Sequence, residues 1–389
     1  MNDLNGIVTL NDLPEKEIFV ETKPEFRKDL CQTLKQRGNI KRISRETQVS
    51  DRILYHWLDD GSMLRLDIFK KLAILFGKNS EQEILSFRGS NGGKIKNPKI
   101  PFDFTTKEGS RVVAAILGDG CLDKKYRLFY TNSNSKSING FINEMKKIFG
   151  DIEFDIRKKS DSNVKIISLA PVYGRVISKL GVIPGKKVVI NPKIPKFIFK
   201  LNEEKIYSFL SQIIDDEGSV SIPSRHIRIK FATIETEIQS NIVSDLERLF
   251  LKLGIETTIY QIGGYESSTG IDRKNWQIEI HSFEQLKKLL FNLRLRDNEK
   301  KQKLEKLVNS IHTFQYPKKK CTEIYLSKMR KIQETKSFFT SQDLYREIDR
   351  SLGHTQNMIH KYHSKGLVKK IINVSSDGTR FYPAKYMVI

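Results

Sequence analysis

Two acidic residues, each followed by glycine at the end of an apolar run, have the spacing expected of a divided metal site. The first run covers residues 112–120 (VVAAILGDG), and the second covers residues 210–218 (LSQIIDDEG). Asp119 and Glu217 close the two runs and lie 98 positions apart, which is the size of a small structural repeat. Carboxylate oxygens are the ligands that Mg²⁺ prefers. One acid at the same end of two similar helices therefore predicts a shared divalent-metal site.

Both runs are typical of helices that would position these acids. Thr105 with Glu108 predicts a capping box at the first helix start, and Asn202 predicts the N-cap of the second. Gly120 and Gly218 predict left-handed residues just past the helix ends, so each acid falls in a last turn. The helix dipole disfavours a carboxylate there by a few tenths to about 1 kcal/mol. A compensating cation is therefore expected at each end.

The two runs resemble the motif of the LAGLIDADG homing endonuclease family, in its single-chain form with two motifs. Asp119 and Glu217 fall on the eighth motif position, which is the metal-binding acid of that family. The resemblance covers roughly residues 100–312 and implies an α+β fold. It implies two pseudo-symmetric αββαββα repeats, whose motif helices pack at a pseudo-twofold axis and whose antiparallel sheets form a saddle over duplex DNA. Gln212 stands at the third motif position, where the family usually has a small residue, so looser helix packing or rotated helices are expected.

The pattern that follows each motif supports a repeat independently of those nine residues. After the first motif we expect paired strands, a helix, paired strands and a helix, in residues 122–132, 137–149, 152–169 and 172–180. The same order is predicted after the second motif, in residues 220–233, 235–253, 255–280 and 283–293.

The resemblance also implies the chemistry of the site. Asp119 and Glu217 would hold Mg²⁺ (or Mn²⁺), one for each DNA strand, with backbone carbonyls near Gly118 and Asp216 completing the coordination. The reaction would be hydrolysis of phosphodiester bonds at a specific site in double-stranded DNA, by a pseudo-dimeric monomer that uses no small-molecule cofactor. The family places a basic residue near the attacking water, and the sequence leaves three candidates on strands, namely Lys165, Arg228 and Lys230. Arg228 and Lys230 are also predicted to contact DNA.

Residues 24–78 predict a compact helical unit of helix-turn-helix type. Helices are expected at 25–36, 40–47, 52–58 and 64–76, with Ser50 as the N-cap of the third. The third helix would enter the major groove and offer Arg52, Tyr55 and His56, while Ile53 and Trp57 pack inward. The alternative is a helical packing module without DNA contact.

The C-terminal region predicts a winged-helix-like unit. Helices are expected at 322–335, 340–349 and 354–364, followed by strands at 369–374 and 379–383 around an Asp-Gly turn. Its groove-facing candidates are Gln356, Asn357, His360 and Lys361, because Asn and Gln can pair with adenine. Winged helices also contact proteins, and that alternative stays open.

Composition limits the class of protein. The formal net charge is +22, which favours a polyanionic partner. The alternative explanation of this charge is a ribosome-associated protein or one that is merely basic. Cys31, Cys121 and Cys321 lack Cys-x-x-Cys spacing, which indicates a reducing compartment and no structural zinc. The seven histidines are assigned to surface or phosphate contacts rather than to metal. No signal peptide or membrane span is present, so a cytoplasmic, nucleoid-associated protein is expected.

The predicted organisation has five segments. They are a helix-turn-helix-like domain (1–88), a flexible linker (89–104), a first endonuclease repeat (105–200), a second repeat (201–312) and a winged-helix-like domain (318–389). The chain lacks the terminal nucleophile and His-Asn pair of an intein, so a free-standing homing endonuclease is the expected function. The alternatives are a non-cleaving DNA-binding transcriptional regulator on the same scaffold, and an intron RNA maturase.

Overall fold

The fold is described from a computed structural model of the chain. It describes residues 5–37, 40–77, 79, 81–90, 92–160, 162–234, 239–266, 272–310, 321–348, 350–371 and 384–389. The chain folds into two compact units. The first contains Met1–Gly218, Ile229–Ile278 and Asn292–Asn298, and the second contains Ser219–Arg228, Glu279–Phe291 and Glu299–Ile389. Among the described residues, none of the helices has the length and apolar character needed to cross a bilayer.

The N-terminal part of the first unit combines helices with a five-stranded sheet. Its helices are α1 (Pro24–Arg37), α2 (Ile40–Thr47), α3 (Asp51–Asp60) and α4 (Leu66–Leu75). Strands β1 (Ile7–Val8) and β6 (Phe102–Asp103) form a separate two-stranded sheet. Strands β2 (Ile18–Thr22), β3 (Leu64–Arg65), β4 (Ile84–Gly89) and β5 (Gly92–Lys96) belong to the five-stranded sheet, whose fifth strand, Asp151–Ile152, comes from the next part of the chain. The four helices match the prediction. Residues 89–104 differ from it, because β5 pairs with β4 and β6 pairs with β1, so this stretch is part of the sheets and not a flexible linker.

Helix α3 is positioned by its cap and by one buried face. The Ser50 side chain accepts a hydrogen bond from the Ile53 amide, as predicted for an N-cap. Trp57 is buried against Phe26, with their ring centroids 6.4 Å apart. Ile53 was expected to pack inward, but its side chain is 43% exposed, and Leu54 is buried instead. All three predicted DNA contacts on this helix, Arg52, Tyr55 and His56, are exposed.

The central part of the chain contains two four-stranded sheets, each entered from a buried helix. The first set is α5 (Lys107–Leu117), β7 (Gly120–Leu122), β8 (Leu128–Asn132), α6 (Ser135–Phe149), β9 (Asp151–Ile152), β10 (Phe154–Lys158), β11 (Lys165–Leu169), α7 (Pro171–Ser178) and α8 (Lys187–Ile190). The second set is α9 (Glu203–Glu217), β12 (Gly218–Ser221), β13 (His226–Ile234), α10 (Asn241–Lys252), β14 (Thr258–Glu266), β15 (Asp272–Ile280), α11 (Phe283–Asn292) and α12 (Asn298–Ser310).

The two sheets have the same strand order relative to their entry helices. The first is ordered β7-β8-β11-β10, and the second is ordered β12-β13-β15-β14. The pairs of the first sheet are antiparallel, and the mixture of helices with antiparallel sheet agrees with the predicted α+β class. Helix α10 begins at Asn241, later than predicted, and residues 235–238 lie outside the described residues.

The C-terminal part of the second unit has its own core. Its elements are α13 (Cys321–Lys336), β16 (Phe339–Thr340), α14 (Ser341–Glu347), α15 (Leu352–Ser364), β17 (Val368–Ile371) and β18 (Lys385–Val388), with sheet order β16-β18-β17. Met329, Phe339, Leu344 and Ile359 are among the buried residues that hold these elements together. The predicted strand 379–383 lies outside the described residues, and the strand that pairs with β17 is β18. The four groove-facing candidates on α15 are exposed, namely Gln356, Asn357, His360 and Lys361.

Candidate active site at the ends of helices α5 and α9

Helices α5 and α9 pack closely where their motif runs end. A Cβ atom built on Gly118 would lie 2.7 Å from Oδ2 and 2.8 Å from Cβ of Asp216. Glycine at position 118 therefore allows its backbone to lie this close to the Asp216 side chain. Gln212 is fully buried in the same contact. Gln212 was expected to loosen the helix pair or to rotate it. The contact is close despite Gln212, and its hydrogen bonds give the reason; a rotation of the helices stays a prediction.

Gln212 is satisfied by polar partners at both ends of its amide. Its Oε1 accepts from Arg296 Nη1 at 3.1 Å and from Arg111 Nη2 at 3.4 Å. Its Nε2 donates to Asp216 Oδ1 at 2.9 Å and to the Tyr130 hydroxyl at 3.1 Å. A buried amide is tolerated in a core when its donors and acceptor are paired. Gln212 thus joins a buried charge network to the carboxylate at the helix end.

Asp215, the first acid of the second motif, is held within this buried network of charged side chains. Its carboxylate accepts from the Arg296 backbone amide at 2.9 Å and lies 3.4 Å from Arg111 Nη2. Arg111 and Arg296 both also pair with the buried Glu144. Asp215 is thereby committed to holding α9 against the segment after α11. Of the second motif's three acids, this leaves Asp216 and Glu217 at the helix end.

The glycines after the acids are required for a reason other than the predicted one. Gly218 has φ −88°, and Gly120 is not among the described residues with positive φ, so neither is left-handed. A Cβ on Gly120 would lie 2.6 Å from Ile116 Cα, and one on Gly218 would lie 2.6 Å from the Ile214 carbonyl oxygen. Each strand therefore returns so closely over the last turn of its own helix that a side chain cannot fit.

The N-cap of α9 agrees with the prediction, and the N-cap of α5 differs from it. Asn202 caps α9 by accepting from the Lys205 amide at 3.1 Å. Helix α5 is capped by Thr106, which accepts from the Gly109 amide, and not by Thr105, whose hydroxyl donates to Asp103. The difference at the start of α5 is one residue. Glu217 lies in the last turn of α9, as predicted, but Asp119 lies two residues beyond the end of α5 and not in its last turn.

Two carboxylates meet at the helix ends through shared donors. Asn132 Nδ2 lies 2.8 Å from Asp119 Oδ2 and 3.4 Å from Asp216 Oδ1. The Tyr130 hydroxyl donates to the same Asp216 oxygen at 2.8 Å. Asp216 Oδ2 is buried and accepts no hydrogen bond of ordinary geometry from the described residues. Asp216 therefore offers a side-chain oxygen, where the sequence predicted only a nearby backbone carbonyl.

The electrostatics show a local excess of negative charge. Burial and the neighbouring charge of Asp119 raise the pKa of Asp216 to about 7, against hydrogen bonds from Gln212 and Tyr130 that lower it. Burial and the charge of Asp216 also raise the pKa of Tyr130, which keeps its hydroxyl a donor. A cation placed here would favour the ionised form of these acids.

Lys187 lies at the end of α5 and was not among the residues predicted from the sequence. Its Nζ donates to the carbonyl oxygens of Leu117, at 3.0 Å, and of Gly118. Burial lowers the pKa of Lys187, whereas the charges of Glu217, Asp119 and Asp216 raise it. This ammonium is the compensating cation expected at the end of α5. The signal was weak, because Lys187 is one of two consecutive lysines in a segment without helical or strand periodicity.

The four predicted metal-site residues are brought together, with one change of role. Gly118, Asp119, Asp216 and Glu217 all lie at the ends of α5 and α9, but the Gly118 carbonyl accepts from Lys187. Hard oxygen donors with an unsatisfied buried oxygen fit Mg²⁺ or Mn²⁺. The fit rests on the carboxylates of Asp119, Asp216 and Glu217.

The predicted basic residues have separate environments. Arg228 Nε donates to Glu279 Oε1 at 2.6 Å, so its charge is already paired. Lys230 is exposed on β13. Lys165 Nζ lies 3.5 Å from the Ser135 hydroxyl. None of these contacts involves the acids at the helix ends.

Comparisons with known proteins give remote likenesses. No family model matches the chain. It is 24% identical over 317 residues to glutamine–fructose-6-phosphate aminotransferase of Methanocaldococcus jannaschii, a match that covers 77% of this chain and 26% of that protein. It is also 24% identical over 188 residues to the ribonucleoside-diphosphate reductase NrdEB subunit alpha of Bacillus subtilis, covering 43% and 15%. The chain thus spans about a quarter or less of these curated relatives.

Two solved structures are similar in part. Full-length DUF199/WhiA from Thermatoga maritima has a TM-score of 0.34 and 13% identity, covering 69% of this chain and 93% of that one. The homing endonuclease I-DmoI in complex with DNA and Mn has a TM-score of 0.33 and 14% identity, covering 49% and 97%. At these values the activity of this chain has to be inferred from its own residues.

Proposed function

We propose that this chain is a site-specific endonuclease that hydrolyses phosphodiester bonds in double-stranded DNA with Mg²⁺ or Mn²⁺. One observation carries the proposal: Asp119, Asp216 and Glu217 gather where two buried helices end, and the Asn132 side chain joins the carboxylates of Asp119 and Asp216. A chain built for stability alone would place cations at this negative end of the dipoles.

Three side chains orient the carboxylates that would hold the metal. Asn132 links Asp119 to Asp216, while Tyr130 and Gln212 fix Asp216 Oδ1, and the buried Oδ2 lies beside Gly118. When bound, the metal would neutralise phosphate charge and make a bound water more acidic. Hydrogen-bonded carboxylates of this kind hold a ligand geometry that flexible surface acids cannot.

Lys187 is the basic residue that we assign to the reaction. It is the described lysine whose pKa responds to all three acids, Asp119, Asp216 and Glu217. Its Nζ can hold a phosphate oxygen or exchange a proton with water at the end of α5, once the Gly118 carbonyl is released. Arg228 is less suited, because Glu279 already pairs with it.

The two central sheets support a duplicated DNA-binding scaffold. Their identical strand order suggests two αββαββα repeats related by a pseudo-twofold axis, with α5 and α9 at the axis. We further propose that the flanking regions bind DNA, the N-terminal one through Arg52, Tyr55 and His56. The C-terminal one would act as a winged helix and bind through α15. The net charge of +22 supports a polyanionic partner and predicts binding that weakens steeply with salt.

A cleavage assay tests the proposal directly. The full chain is incubated with Mg²⁺ or Mn²⁺ and with duplex DNA, using a randomised library and DNA spanning the insertion site of its own gene. Double-strand breaks at one site are expected with metal and not with EDTA. The Asp119→Asn/Glu217→Gln chain should bind the same DNA without cutting it. Asp155→Asn, at an exposed acid of the first sheet, is the matched control and should cut normally.

The competing function is a DNA-binding regulator that does not cleave. One observation favours it: Lys187 already compensates the end of α5 without a metal, by holding the Gly118 carbonyl. Specific binding of duplex DNA with no cleavage under Mg²⁺ or Mn²⁺, and identical behaviour of the double variant, would replace the endonuclease with this regulator.

A further inference from the structure

A group of ligating side chains in the second unit takes no part in the proposed cleavage chemistry. His226, Glu279 and His281 each offer one ligand atom, and these three atoms lie within 4.8 Å of one another. His226 and Glu279 are buried, with 4% and 5% of their surface exposed, and His281 is exposed. Sequence spacing carried no hint of this group, because His226 is far from the other two along the chain.

Strand pairing explains how the three residues meet. Cross-strand contacts join Arg228 to Glu279 and Thr233 to Trp276, so residue numbers rise along β13 as they fall along β15. The strands are therefore antiparallel, and the start of β13 lies beside the end of β15. His226 is the first residue of β13, and Glu279 is near the end of β15. Glu279 and His281 are two residues apart, which places them on one face of an extended chain.

The distances suit a small tetrahedral metal ion. Glu279 Oε2 lies 3.0 Å from His281 Nε2 and 3.8 Å from His226 Nδ1. Zinc with bonds of about 2.0–2.2 Å requires ligand atoms roughly 3.4 Å apart. The two observed distances lie on either side of that value. Small side-chain rotations would bring both into the range of a shared ion.

Arg228 supports such a site from outside it. Its Nε donates to Glu279 Oε1, which leaves Oε2 as the oxygen facing the imidazoles. Metal ligands commonly have an outer partner of this kind that fixes their orientation. Access is provided by the exposed ring of His281 and by a cavity of about 320 Å³ that His226 and Arg228 help to line.

We infer that His226, Glu279 and His281 bind one first-row divalent transition-metal ion, with Zn²⁺ the best fit. Two imidazole nitrogens and one carboxylate oxygen form a donor set that zinc accepts and that Mg²⁺ disfavours. The fourth position is left to water or another small ligand. The bound ion would tie the start of β13 to the end of β15 and so stabilise the strand that carries Arg228. This site is independent of the acids at the ends of α5 and α9.

Metal titration of the full chain tests the inference. The Asp119→Asn/Glu217→Gln background is used, so that the helix-end acids contribute least, and Zn²⁺ is titrated against a chromogenic chelator. One equivalent should bind with submicromolar affinity and raise the melting temperature, and excess Mg²⁺ should not displace it. Bound Co²⁺ should give visible bands of a tetrahedral nitrogen and oxygen site.

Matched variants assign the binding to these residues. His281→Gln is the principal variant, because its side chain is exposed and the change leaves the core intact, and it should weaken zinc binding about 100-fold or more. Glu279→Gln should have a similar effect. His360→Gln, at an exposed histidine of α15, should have none. Circular dichroism verifies that each variant is folded.

Three results would overturn the inference. The first is no saturable uptake of one equivalent by the folded chain. The second is uptake that His281→Gln and Glu279→Gln leave unchanged. The third is a thiolate charge-transfer band with Co²⁺, since that band would assign the ion to a cysteine.

Discussion

The ends of α5 and α9 have the same backbone plan but different chemistry. Helix α9 ends at Glu217, helix α5 ends at Leu117 two residues before Asp119, and the glycine after each acid starts a strand that returns over the last turn. Helix α5 is apolar from Val112 to Leu117, and its final carbonyls accept from Lys187. Helix α9 instead buries Gln212 and Asp215, which are held by Arg111 and Arg296.

An asymmetric centre lies between these two similar helices. Gly118, at the end of α5, faces Asp216 of α9. Because glycine has no side chain, the Asp216 carboxylate fits into the space beside it. The first helix contributes space and backbone carbonyls. The second contributes an additional acid, oriented by Gln212. The two halves are therefore expected to respond differently to substitution, except at the acids they share.

The largest expected effect is at the shared acids. Asp119→Asn and Glu217→Gln should each abolish double-strand cleavage, lowering the rate on the order of 10³-fold or more, because a lost metal ligand removes several kcal/mol of transition-state stabilisation. Supercoiled plasmid carrying the target, followed over time, separates nicked from linear product. Asp155→Asn serves as the control. If one of the two variants still made linear product at the native rate, the acids would not form a shared centre.

The next effect concerns Lys187, whose hydrogen bonds are made to the end of α5. Lys187→Met should lower cleavage about 100-fold, because it removes the charge that faces all three acids. DNA affinity should fall little. Lys186→Met is the matched control, since Lys186 is adjacent in sequence and exposed. Equal losses from the two variants would show that only general positive charge is needed, and single-turnover rates at saturating DNA make the comparison.

Gly118→Ala tests the close approach of the helices. The new methyl group would lie 2.8 Å from Asp216 Cβ, so the free energy of unfolding should fall by up to about 3 kcal/mol. Gly263→Ala is the control, because nothing among the described residues lies within 4 Å of its Cβ position. Urea denaturation gives both values. Asp216→Gly should restore part of the loss in the double variant, and its failure to do so would separate the strain from Asp216.

Local patterns made much of this architecture predictable. Helices α2, α3 and α15 follow from apolar periodicity and from caps such as Ser50, and the two acids follow from their repeat. Long-range packing decided the rest. Strand β5 is rich in glycine and lysine, and it is a strand because Ile95 pairs with Phe87 and Ile152. The position of Lys187 near Asp119 follows from the fold. It could not be predicted from the sequence, because a single lysine carries no periodic signal.

The smallest expected effect is a pH dependence of stability that belongs to Asp216. The folded chain holds a proton on Asp216 up to a pKa of about 7, whereas the unfolded chain releases it near 3.8. The folded state binds more protons between these values, so the stability contributed by this group is lost as pH rises through the window. The charged and titratable groups that interact with it include Asp119, Lys187, Arg111 and Tyr130, and the side chains of Asn132 and Gln212 lie within hydrogen-bond distance of it.

Asp216→Asn isolates that contribution. In EDTA the native chain should lose about 2–3 kcal/mol relative to Asp216→Asn between pH 5 and pH 8, because the buried charge is costly only once it forms. Thermal denaturation across this range measures the difference, with Asp155→Asn as the exposed control. Saturating Mg²⁺ should reverse the trend above pH 7, since the ion binds the ionised carboxylate. A difference that stayed flat with pH in EDTA would mean that α9 contributes a structural side chain here, and the asymmetry between the two helix ends would then be one of packing alone.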